Sequence, residues 1–181
     1  MVSRAVFLDR DGVLNANVQR DGRPVAPTSM DEFRILPGVE AATARLKQLG
    51  FVLVVVTNQP DVGTGRTAPA TLEAMHRELR RRLPLDDIKV CIHVDADRCS
   101  CRKPKPGLLL DAARERDIGF AQSIMIGDRW RDIEAGQAVG CLTILVDAGG
   151  YQEKPSTPDR VVRSLPEAVT SIECGHTSGE G

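Results

Sequence analysis

The chain has 181 residues, 41% of them apolar, a formal net charge of −1 and five cysteines. A chain of this length buries roughly 70% of the surface it exposes when unfolded, so a single soluble domain forms its core unaided and a monomer is expected. The near-zero charge balance excludes broad electrostatic binding to nucleic acid, and the longest apolar runs, such as Phe51 to Val56, are far too short to span a membrane.

Met1-Val2-Ser3-Arg4 leads straight into the first predicted strand, residues 4–9, with no signal-peptide pattern, and a cytoplasmic protein is expected. Ala5-Val6-Phe7-Leu8 ends in Asp9-Arg10-Asp11-Gly12, which puts two carboxylates two residues apart where a buried strand stops. Like charges this close raise each other's pKa, so an ionised pair implies a bound cation, and oxygen-only ligands imply a hard one such as Mg²⁺. Gly12 lets the chain turn sharply. Taken alone, the same tetrapeptide also reads as an ordinary polar turn. Residues 13–37 are expected to form a polar loop or small hairpin, leaving no room for a large cap before a helix over 38–49.

The next buried strand, 51–57, ends in Thr57-Asn58-Gln59, whose first two side chains can grip a phosphoryl oxygen and equally read as a turn signal. A helix over 68–83 carries His76 with Arg77, Arg80, Arg81 and Arg82, an arginine run read as a solvated face. A strand over 87–93 delivers Cys91-Ile92-His93, followed after five residues by Cys99-Ser100-Cys101. Three thiols and an imidazole suit tetrahedral Zn²⁺ with no vacant position, which is a structural site. Disulfide pairing is the competing reading, although a cytoplasmic chain keeps its thiols reduced.

Arg102-Lys103-Pro104-Lys105-Pro106-Gly107 then places cations ahead of a helix over 106–117. Cations oppose the dipole of a helix start, so these read as recruited for an anion, with a solvated basic loop as the alternative. A strand over 123–127 delivers Asp128, and Asp132 falls in the first turn of a helix over 130–139. Trp130 is expected to pack on that helix. A strand over 142–146 and a helix over 165–172 complete the pattern, with Cys141 a small buried hydrophobe. Residues 1–173 are read as one domain, and 174–181, with Cys174 and an exposed, inert His176, as a disordered tail.

Alternating strands and helices predict a Rossmann-like three-layer α/β/α sandwich around a parallel sheet. Ligands of such sheets bind outside the carboxyl ends of the strands, and all the polar groups above sit there. In their order, Asp9-x-Asp11-Gly12, Thr57, Lys103 and Gly127-Asp128-x-x-x-Asp132 resemble the four motifs of the haloacid dehalogenase superfamily, over nearly the whole chain. That resemblance implies a capless phosphomonoesterase. Asp9 would attack phosphorus and form an aspartyl-phosphate, and Asp11 would act as general acid and then general base. Mg²⁺ would be held by Asp9, the Asp11 backbone carbonyl and Asp128, with Asp132 behind them orienting Lys103 or a metal-bound water. Lys103, Thr57 and Asn58 would balance charge on the transferring oxygens, and Arg102 would reach a distal phosphate.

Cys-x-His followed by Cys-x-Cys-Arg-Lys-Pro is similar to the zinc loop of D-glycero-D-manno-heptose-1,7-bisphosphate phosphatases and of the related histidinol-phosphate phosphatases. Zinc held by Cys91, His93, Cys99 and Cys101 would stiffen the loop that aims Arg102 and Lys103. Arg129 after Asp128 is similar to the histidinol-phosphate branch, whereas Lys105-Pro106-Gly107-Leu108 and the lack of a fused dehydratase domain favour the heptose branch. The chain departs from the heptose pattern after Gln59, where Pro60 removes a donor and Asp61 adds a negative charge. The expected reaction is removal of the C7 phosphate from the heptose bisphosphate, with histidinol phosphate or another small sugar phosphate as alternatives. A degenerate zinc-scaffold protein would require a lost catalytic group, and none is missing.

Overall fold

The computed structural model of the chain describes residues 2–149 and 152–176. The elements run β1 (Ala5–Leu8), β2 (Val18–Arg20), β3 (Arg23–Val25), α1 (Val39–Gln48), β4 (Val52–Asn58), α2 (Pro60–Gly63), α3 (Pro69–Arg82), β5 (Asp87–Cys91), α4 (Gly107–Arg116), β6 (Ile124–Gly127), α5 (Trp130–Ala138), β7 (Leu142–Val146), β8 (Arg160–Val162) and α6 (Leu165–His176). Six strands make one parallel sheet in the order β5-β4-β1-β6-β7-β8, while β2 and β3 pair as an antiparallel hairpin.

Helices cover both faces of the sheet, which is why its inner strands β1, β4 and β6 read as unbroken apolar runs rather than alternating ones. In β1, Val6 and Leu8 enter a core shared with α1, α3 and α6 through Leu46, Met75, Leu79 and Val169. Ala5 and Phe7 point the other way, toward Leu108, Leu109 and Ala112 of α4 and Ala135 of α5. The chain winds outward from β1 to β4 and β5, then crosses back to β6 on the opposite side of β1. This reversal opens a crevice at the carboxyl ends of β1 and β6, the position where open α/β sheets bind ligands.

Every predicted strand and helix is present, and 13–37 contains the small β2–β3 hairpin rather than a cap domain. Two features differ from expectation. Strand β8 has only three residues, exposed or half-buried, too few to form a visible apolar run. Helix α6 continues to His176, so Cys174 to His176 extend a helix anchored by buried Val169 and Ile172 instead of starting a tail. The His176 side chain and residues 177–181 lie outside the described part of the structure. No helix among the described residues is long and apolar enough to cross a membrane.

Candidate active site

Asp9 leaves β1 while its N–H still donates to Ile126 O of β6 at 2.9 Å, so the first acidic residue emerges beside the strand that carries Asp128. Gly12 then turns back with φ +82°, and a Cβ there would lie 2.1 Å from Asp128 Oδ2. The glycine is therefore required both for its left-handed backbone and for the close approach of the Asp128 carboxylate. Gly127 allows a similar close approach at the end of β6, where a Cβ would meet the Asp132 side chain at 2.1 Å.

Asp9, Asp128 and Asp132 each place a carboxylate oxygen within 4.8 Å of the other two. Lys103 enters this cluster with 1% of its surface exposed. Its ammonium donates to Asp9 Oδ1 at 2.9 Å, to Val56 O at 2.6 Å and to Asp132 Oδ1 at 2.5 Å. Burial and the neighbouring carboxylates, Asp132 foremost, push the Asp9 pKa well up, and the Lys103 ammonium opposes them. Burial and Asp132 likewise push Asp128 up to about 6, against the pull of Arg129 and Asn17. One lysine among three such carboxylates leaves a negative excess, and the donor set is all oxygen. The cluster therefore fits a hard divalent cation. Asp132 accepts from Lys103 and from the Arg129 N–H, the latter at 3.0 Å, and is buried at the base of the cluster.

Asp11 turns its carboxylate elsewhere. Oδ1 accepts from Arg10 Nη2 at 2.9 Å and Asn15 Nδ2 at 2.9 Å, and Oδ2 accepts from Gln59 Nε2 at 2.7 Å. Gln59 also donates to Thr57 Oγ1 at 2.9 Å, which links the second aspartate to the wholly buried Thr57. Arg10, Asn15 and Gln59 thus join the site without standing out in the sequence. For the first, the available signal is a cation set between two carboxylates, one of which it bonds.

Asn58 was expected to grip a phosphoryl oxygen. Instead its amide clasps the Lys103 peptide from both sides, Nδ2 donating to Lys103 O at 3.0 Å and Oδ1 accepting the Lys103 N–H at 3.1 Å. Lys105 likewise donates to the carbonyls of Arg98 and Cys99, at 3.1 and 2.6 Å, and serves the preceding loop rather than an anion. Trp130 packs no core: Arg131 and Lys154 lie over its ring at 4.6 and 4.3 Å.

A cavity of about 300 Å³ gathers Asp9, Asp11, Lys103, Asp128 and Asp132, with Arg66, Arg102, Arg129 and Arg131 around it. Arg129 is held by the hairpin through Pro24 O at 2.8 Å, and Arg102 by Asp95 at 2.7 Å. Asp61, the added negative charge, is paired with Arg66 at 2.5 Å. A larger, more apolar cavity of about 550 Å³ lies across Asp128 and Asn17. It holds neither Asp9 nor Lys103, so the chemistry belongs to the smaller one.

Cys91, His93, Cys99 and Cys101 converge within 4.8 Å. Cys91 Sγ lies 3.5 Å from His93 Nδ1, 3.7 Å from Cys99 Sγ and 2.9 Å from Cys101 Sγ, and Cys101 Sγ lies 3.3 Å from His93 Nδ1 and 3.5 Å from Cys99 Sγ. Sulfurs on a tetrahedral zinc with bonds of about 2.3 Å stand roughly 3.8 Å apart, so this four-way convergence fits a closed metal site and not a disulfide. The loop is pressed onto α4: Gly107 donates to Ser100 O at 3.2 Å, and a Cβ at Gly107 would lie 2.3 Å from that oxygen.

A family model described as HAD-hydrolase-like matches residues 100–168. D-glycero-beta-D-manno-heptose-1,7-bisphosphate 7-phosphatase of Bordetella bronchiseptica is 38% identical over 81% of this chain and 82% of its own length. D-glycero-alpha-D-manno-heptose-1,7-bisphosphate 7-phosphatase of Mycobacterium tuberculosis is 34% identical over 97% of this chain and 93% of its own. Among solved structures, the B. bronchiseptica D,D-heptose 1,7-bisphosphate phosphatase complexed with magnesium and phosphate matches with a TM-score of 0.79 at 34% identity, covering 95% of this chain and 99% of that one.

Proposed function

The chain belongs to the haloacid-dehalogenase-like phosphatases, which are phosphoric monoester hydrolases, and on that footing we propose that it removes the C7 phosphate of D-glycero-D-manno-heptose 1,7-bisphosphate. The observation that carries this reading is the meeting of Asp9, Asp128 and Lys103 in one cavity rimmed by four arginines. A substrate with two phosphates needs a reaction centre and a separate cationic contact. Arg102 and Arg129 would provide the second, and the Arg66 pairing removes the objection raised by Asp61.

Asp9 is the nucleophile. Its Lys103 partner stabilises the ionised form against burial, and attack on phosphorus divides one difficult displacement into formation and hydrolysis of an aspartyl-phosphate. The Lys103 ammonium lies beside the attacking carboxylate, where a preorganised cation stabilises charge developing on the transferring oxygens. Asp11 protonates the leaving alcohol oxygen and then takes a proton from water. Thr57 supports Asp11 through Gln59, and Asn58 fixes the peptide that carries Lys103.

Mg²⁺ fits the carboxylate cluster, with Asp9, Asp128 and the Asp11 backbone as its holders; it would supply positive charge that screens Asp9 from the incoming phosphate. Zn²⁺ on Cys91, His93, Cys99 and Cys101 would fix the loop that ends in Arg102 and Lys103. A cytoplasmic monomer is the setting proposed for this reaction.

The test is a phosphate-release panel with both anomers of the heptose bisphosphate, histidinol phosphate and hexose monophosphates. A kcat/KM at least about 10-fold higher for one heptose anomer supports the reading, and this margin is about 1.4 kcal/mol of transition-state binding. Histidinol phosphate as the preferred substrate would overturn it.

A further inference from the structure

Arg10 is wholly buried and its guanidinium is divided between Asp11 on one side and α3 on the other. Nε and Nη2 donate to the Asp11 carboxylate at 3.1 and 2.9 Å. Nη1 reaches the other way, to His76 Nε2 at 3.4 Å and Met75 Sδ at 3.8 Å. His76 is itself 3% exposed, on α3 and remote in sequence from the site.

A guanidinium only donates, so His76 Nε2 must carry a lone pair and the imidazole must be neutral with its proton on Nδ1. Burial, with Arg10 and Arg80 nearby, pushes the His76 pKa down to about 4, which keeps it in that form; Asp11 pulls weakly the other way. Thioether sulfur is a weak acceptor, so the imidazole is the stronger of the two acceptors that Nη1 meets on α3. The planar fork transmits this constraint. Fixing Nη1 fixes the plane in which Nε and Nη2 meet Asp11.

We infer that His76 is a positioning residue that acts through the buried Arg10 guanidinium to aim Asp11 at the leaving-group oxygen. The inference rests on the role proposed above for Asp11. It assigns work to a histidine that touches no substrate, and it gives Arg10 a purpose beyond charge balance.

The two chemical steps allow a clean test with the metal-loaded full chain. kcat/KM reports events up to departure of the leaving group. An alkoxide leaves only with a proton from Asp11, whereas nitrophenolate leaves without one. Replacing His76→Leu is therefore expected to lower kcat/KM for the heptose bisphosphate by about 30-fold, part of the 10²–10⁴ that a general acid supplies, and for p-nitrophenyl phosphate by no more than about 3-fold. His76→Gln, which keeps an acceptor, is expected to return the sugar substrate to within about 3-fold of wild type. Should the leucine variant fold poorly, His76→Asn, polar but too short to reach Arg10, carries the same comparison.

Equal losses on both esters, no loss on either, or a glutamine variant no better than leucine would overturn the inference while leaving the phosphatase reading intact. A wild-type chain inert toward both esters would overturn that reading and this inference with it.

Discussion

The Lys103 ammonium and the Asp9 carboxylate form a 2.9 Å ion pair with side chains only 2% and 12% exposed. A charge buried this deeply is tolerated because Asp132 and the Val56 carbonyl complete its coordination. Lys103→Met removes the cation and strands two carboxylates. Breaking one side of a buried pair costs about 3–5 kcal/mol, so chemical denaturation of the metal-free variant is expected to show a loss of that order. Phosphate release should fall by at least about 100-fold, because the lost charge acts where negative charge develops. A variant of unchanged stability would mean that Lys103 does not neutralise the cluster.

Gly12→Ala probes the other side of the cluster. The new Cβ falls 2.1 Å from Asp128 Oδ2 and the backbone sits at φ +82°. Stability should drop by more than about 1 kcal/mol, since alanine fits neither the backbone nor the space. Asp128 must move, and a magnesium titration of phosphate release should show the half-saturating concentration rising by about 10-fold or more. An unchanged titration would remove Asp128 from the metal site.

The cysteine loop has a separable role. Cys99→Ser should lower the bound zinc and the melting temperature together, and activity should fall because Arg102 and Lys103 follow Cys101 directly. Metal analysis, calorimetry and phosphate release on one preparation check all three. A zinc-free variant with wild-type activity would show that the loop needs no metal to aim the cations.

His76 also sets a pH dependence. Its pKa is pushed down to about 4 in the folded chain from 6.5, so between these values the unfolded state binds the proton that the folded state refuses. The stabilising contribution is complete above about pH 6.5 and is lost as pH falls to about 4, amounting to roughly 3 kcal/mol. Urea denaturation of wild type and His76→Gln across this window isolates the term. The stability of wild type relative to the variant should decline as the solution is acidified, and a pH-independent difference would mean that the folded chain protonates His76 freely.

What was legible in the sequence follows physical lines. Strands buried on both faces announce themselves as apolar runs, and Asp9 and Asp128 at the tips of β1 and β6 meet Lys103 of the loop before α4 because the winding of the chain reverses between these two neighbouring strands. The cysteine and histidine spacing also foretold its cluster. Side-chain direction was less legible. Asn58 and Lys105 carry the right chemistry for an anion but satisfy backbone carbonyls, a demand set by loop packing that no local pattern displays. Arg10 and His76 escaped because their partnership spans α3 and the β1 tip, and an arginine between two aspartates looks solvated until the strand is seen to be covered.

The most direct measurement is ³¹P NMR of D-glycero-D-manno-heptose 1,7-bisphosphate during turnover with magnesium present. The C7 phosphomonoester signal should disappear as inorganic phosphate grows, while the C1 phosphate signal persists. Wild type should do this and Asp9→Asn should not, although its folding and zinc content remain normal. Loss of the C1 signal first, or turnover by Asp9→Asn at the wild-type rate, would contradict the account.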